Sequence, residues 1–65
     1  MLQPYQQRLV EEQEQLQDRL SKLCLALDKT RPDFIPVEEW DDQVIQAELM
    51  DSYNEVLKRR ISRFK

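Results

Sequence analysis

Glu38 and Asp42 stand four residues apart, Tyr5 and Arg8 three apart, and the cations Lys58, Arg59, Arg60, Arg63 and Lys65 crowd the end of the chain. On a helix such spacings place side chains on one face. Two carboxylates so placed can share a metal ion or a proton. A tyrosine beside arginines can stack on a base while guanidinium groups hold phosphate. The lone thiol, Cys24, would be a nucleophile only where its thiolate is favoured.

Composition removes most of this chemistry. The 65 residues include no histidine and no glycine, so the commonest general base and metal ligand is missing, as is any glycine-rich phosphate loop. The leucine stripe described below offers no second carboxylate pair to complete a bundle-type metal centre. A single cysteine can form neither an internal disulfide nor a CxxC zinc site, and Cys24, beside that stripe, reads as a buried small hydrophobe. The chain therefore reads as a non-enzyme without a cofactor, acting by binding.

Two prolines decide which elements carry these residues. Pro32 and Pro36 cannot lie inside a continuous helix, because each removes a backbone donor and crowds the preceding turn. The pattern predicts helix one over about 4–28, a loop over about 29–35 and helix two over about 36–64, all in one unit spanning 1–65. Leu2, Leu9, Leu16, Leu20, Leu23 and Leu27 fall in a narrow stripe of coiled-coil type, with Gln6 and Gln13 as polar members that would fix register. In helix two, Trp40, Ala47, Met50, Leu57, Ile61 and Phe64 form the matching stripe, with Asn54 as its polar member. Asp18 and Lys22 stand in the favourable order for a weak helix pair.

A second apolar set, Ile45, Leu49 and Val56, lies more than about 100° around helix two from the first, with Tyr53 between them. One narrow stripe on helix one cannot cover both. A chain of this length buries only about 60% of the surface its unfolded form exposes, and a lone hairpin less. The fold class expected is therefore all-α, an antiparallel two-helix hairpin assembling into a homo-oligomeric helical bundle. Its expected oligomer interface is Ile45, Leu49, Tyr53 and Val56.

Formal net charge is −3, which argues against duplex nucleic acid as a partner. Carboxylates gather at the start of helix two and cations at its end. Helix electrostatics explain that ordering, and the same cations also make a small anion site. No apolar run reaches the roughly 18 residues of a membrane span, and the N-terminus lacks a basic region followed by an apolar core. A cytoplasmic protein without membrane contact is expected. Antiparallel helices bring Tyr5, Gln6 and Arg8 near Lys58, Arg59, Ile61 and Arg63. That end would hold a phosphorylated nucleotide, or else Tyr5 packs on Phe64 or Ile61 and the arginines are solvated.

The opening run Gln3 to Glu12, the central Ile35-Pro36, and Gln46, Met50, Tyr53, Val56, Leu57, Arg60, Ile61 and Phe64 resemble a family of very small phage and prophage proteins. The general pattern is similar to the helical-hairpin domain of phage anti-CBASS and anti-Thoeris proteins, oligomeric sponges that sequester cyclic-nucleotide immune signals without cleaving them. The loop Asp28 to Arg31 and Trp40 depart from the pattern. The resemblance implies an anti-defence protein in the cytoplasm of an infected or lysogenic bacterium, holding a cyclic di- or trinucleotide or an ADP-ribose signal between copies. Arg8, Lys29, Arg31, Arg59 and Arg63 would neutralise phosphates, and Tyr5 or Tyr53 would stack on a base. The competing reading is a protein-interaction module. Ile45, Leu49 and Val56 would then dock on a host or phage protein to block or recruit it.

Overall fold

Gln3 fixes where the first helix begins. Its backbone N–H donates to Gln6 Oε1 at 2.8 Å and its carbonyl accepts from Gln7 N at 2.9 Å, while Pro4 follows in the first turn, where a missing donor costs nothing. Gln6, expected to set register within the leucine stripe, thus serves as a helix cap. The structure, a computed structural model, describes residues 1–64; the expected cation Lys65 lies outside them. Helix α1 spans Pro4–Leu27 and α2 spans Val37–Ser62. Asp28 closes α1, and Pro36 stands as the N-cap of α2, its carbonyl accepting from Trp40 N at 3.0 Å.

The turn between them is closed by Ile35 N donating to Pro32 O at 3.0 Å, and Arg31 Nη1 donates to Ile35 O at 2.5 Å. Among the described residues the backbone makes this reversal without a positive φ, which is why a chain free of glycine can turn here.

The helices pack antiparallel along their lengths, with Tyr5 against Phe64, Glu12 against Tyr53, and Gln13 and Gln17 against Asn54. Both inner faces follow the alternating three- and four-residue spacing of a coiled-coil seam. Leu9, Leu16, Leu20 and Leu57 are buried, and Met50, Ile61 and Phe64 pack partly buried against this core. Leu2, placed in the stripe by its spacing, is exposed because it precedes the helix. Cys24 is exposed as well, contrary to the buried position expected of it. It flanks the seam, about 40° around the helix from Leu20, and lines an open groove beside Leu20 and Leu27 instead of entering the core.

The product is a rod of 49 × 15 × 14 Å with a radius of gyration of 15.0 Å, against about 11 Å for a compact domain of this length. Its core is one side chain deep. The second stripe of α2 finds no cover among the described residues: Ile45 is 52% exposed, Leu49 66% and Val56 39%.

Candidate functional site

The seam contains one polar layer. Asn54, 1% exposed, accepts from Gln13 Nε2 at 3.0 Å through Oδ1 and donates from Nδ2 to Gln17 Oε1 at 2.8 Å. Gln17 Nε2 in turn donates to Ser21 Oγ at 3.2 Å. The layer is fully partnered, with no buried side-chain polar atom left unsatisfied among the described residues. It fixes the register of the two helices and leaves no free group aimed at a ligand. Gln13 and Asn54 were legible as polar members of their stripes; Gln17 was not, because it flanks the seam.

Of the residues expected to meet a ligand, Tyr5, Arg8, Arg59 and Arg63 share the open end of the hairpin. Tyr5 meets Phe64 edge to face, with ring centroids 6.4 Å apart and planes at 81°, yet stays 58% exposed. Part of its ring face thus remains open to a planar partner. Arg8, Arg59 and Arg63 are exposed. The ion pairs among the described residues are Lys22 with Asp18 and Lys58 with Glu55, so none of the three arginines is neutralised by a carboxylate. Arg59 and Arg63, however, lie on the outer side of α2, in line with Leu49 and Val56 and away from α1.

Lys29 and Arg31 lie at the other end, by the turn. A helix the length of α1 separates the two groups by roughly 35 Å. One chain therefore does not gather these cations into one pocket, and Arg31 already gives a guanidinium N–H to the turn carbonyls.

Tyr53 stands midway. Its hydroxyl donates to a carboxylate oxygen of Glu12, and this hydrogen bond, then desolvation and the Glu12 charge, raise its pKa above the usual 10.0, with Arg60 opposing. Glu12, the partner that engages Tyr53, carried no signal in the sequence beyond a charged residue on a solvated face.

One open groove of about 400 Å³ lies nearer the turn, lined by Leu20, Cys24, Leu27, Val44, Ala47, Glu48 and Asp51. Ala47 makes the gap. Its only charged walls are carboxylates, which repel phosphate. No group of three or more histidine, cysteine, aspartate or glutamate side chains among the described residues could hold a metal ion. No helix of the described residues is long and apolar enough to cross a membrane.

Comparison with known proteins adds a family. The model of the family described as Sequestin matches residues 3–63, which takes in both helices, the turn and the whole seam. No curated protein and no solved structure matches the chain.

Proposed function

The chain belongs to the Sequestin family, and we propose from that premise that it works by sequestration, binding a small anionic signal and withholding it without turnover. The family match over nearly the whole chain is the observation that carries this reading. The ligand class is a cyclic di- or trinucleotide or a related ADP-ribose signal, and the setting is the cytoplasm of a bacterium carrying a phage or prophage.

Binding rests on Tyr5 and Arg8 at the open end, where the exposed ring face is available for stacking and the guanidinium for bidentate phosphate contact. Lys29, Arg31, Tyr53, Arg59 and Arg63 supply further charge and aromatic surface. Because these groups are spread along a rod, a complete pocket needs groups from more than one copy. Copies associate through the outer face of α2 at Ile45, Leu49, Tyr53 and Val56.

Titration calorimetry against cyclic dinucleotides, cyclic trinucleotides and ADP-ribose compounds tests the proposal, with the ligand recovered afterwards. Heat of binding with chemically unchanged ligand is the expected result. The absence of both heat and a thermal shift across the panel overturns it.

The exposed apolar stripe favours a second reading, in which the same face docks on a host or phage protein. Capture of one defined protein from lysate, lost on Leu49→Glu while the protein binds no nucleotide, would support that reading over the first.

A further inference from the structure

The outer face of α2 repeats the spacing of its inner seam. Glu38, Asp42, Ile45, Leu49, Ser52, Val56, Arg59 and Arg63 follow one another at intervals of four and three, so they stay on one line as the helix winds around its partner. All eight are exposed in the single chain. The line is acidic at its start, apolar in its middle and basic at its end. Such a line is complementary to itself only head to tail. We infer that its occupant is a second copy of this chain, laid antiparallel along α2 with the two-fold axis at the level of Met50 and Asp51.

In that register Ile45 faces Val56 of the second copy and Leu49 faces Ser52. Asp42 then meets Arg59, and Glu38 meets Arg63. Burying Ser52 strands no polar group, because its hydroxyl already donates to Glu48 O at 3.2 Å. A parallel arrangement would set each carboxylate and each arginine beside its own copy. Sliding the antiparallel pair by one heptad would place Glu38 on Val56 in one direction and Arg59 on Leu49 in the other. Of these registers only the stated one sets both carboxylates against arginines, and it places Ile45 on Val56 and Leu49 over the small side chain of Ser52. Along one flank Glu39 comes near Arg60; along the other Glu48 comes near Glu55, an unfavourable pair softened by Lys58, 3.4 Å from Glu55.

This pairing rests on the reading that the outer stripe joins copies, and it adds a consequence for binding. The turn end of one hairpin comes to the same end of the assembly as the open end of the other, so Lys29 and Arg31 stand level with the second copy's Tyr5 and Arg8, with the second copy's α2 between them. In this pairing Arg59 and Arg63 leave the proposed ligand-binding set and take Asp42 and Glu38 of the second copy as partners.

Native mass spectrometry of the full chain at micromolar concentration, with helix content followed by circular dichroism, tests the register. Leu49→Glu should yield monomer. The acidic reversal (Glu38→Lys with Asp42→Lys) and the basic reversal (Arg59→Glu with Arg63→Glu) should each weaken dimerisation at least tenfold. Combining all four changes should restore it to within a few-fold of the starting protein at unchanged net charge. If both reversals keep their assembly while Leu49→Glu loses it, the register is wrong and the stripe remains the interface. A combined variant that stays dissociated with its helices intact likewise overturns the register. Unchanged assembly on Leu49→Glu, or a monomeric starting protein, overturns the stripe reading and the pairing with it.

Discussion

Asn54 and Gln17 are joined across the two helices by an Nδ2-to-Oε1 hydrogen bond of 2.8 Å in the middle of an otherwise leucine-rich seam. Gln13 reaches the same asparagine from one turn earlier in α1, so three amides form a single partnered layer. Asn54→Ala should cost about 1–3 kcal/mol, because it deletes the bridging group and leaves two amides to find water. Asn54→Leu is expected to retain the helices while loosening their register. Chemical denaturation measures the first effect, and heterogeneity in amide exchange across α1 reports the second.

Leu57 is fully buried. Leu57→Ala should destabilise the hairpin by about 2–5 kcal/mol, with Leu20→Ala toward the lower part of that range because the site lies beside the open groove. Thermal denaturation followed at 222 nm checks both substitutions. A shift too small to resolve at Leu57 would contradict the seam.

The Tyr53 hydroxyl is held by Glu12, so its pKa is raised in the folded chain. A raised folded-state pKa adds stability that is complete below the unfolded value near 10 and is lost as pH rises through the folded value. The melting temperature should therefore fall more steeply above about pH 10 in the starting protein than in Tyr53→Phe. Ultraviolet titration of the phenolate locates the transition, and identical pH profiles in the two proteins would remove Glu12 as its cause.

Arg31 holds the turn through Ile35 O. Arg31→Ala should cost about 1–2 kcal/mol and speed amide exchange around residues 32–36 without altering the helices. Exchange measured by mass spectrometry would show whether the change is local to the turn.

At the open end, Arg8→Ala should weaken nucleotide binding by at least about tenfold, equivalent to about 1.4 kcal/mol, at unchanged helix content. Calorimetry against the cyclic nucleotide that binds the starting protein provides the measurement. Equal affinity would move the phosphate site elsewhere on the rod.

Much of the hairpin could be read in advance, since the two prolines and the seven-residue spacing of Leu9, Leu16 and Leu23 are properties of the chain itself. Polar members of the stripes were visible for the same reason. Their pairing was not, because the partner of Asn54 depends on how far one helix slides along the other. Cys24 does lie beside the stripe, about 40° around the helix from Leu20, but it faces an open groove, which the spacing within one helix does not reveal. The proposed binding groups were the least legible part. Tyr5 and Lys29 are each plausible by chemistry, and the helix bounds already set them at opposite ends of a hairpin, but which groups can meet depends on how copies pack, which the spacing within one chain does not encode.

The seven-residue repeat in both helices also constrains how such a protein can change size. Deleting one residue from α1 would swing every later side chain about 100° off the seam and bring the wrong groups to face Asn54. Removing a whole heptad from each helix, on either side of the turn, would leave the remaining layers in register and shorten the rod by about 10 Å. Relatives of different length are thus expected to differ by matched insertions or deletions of seven residues, with Pro32 and Pro36 staying at the fold-back point.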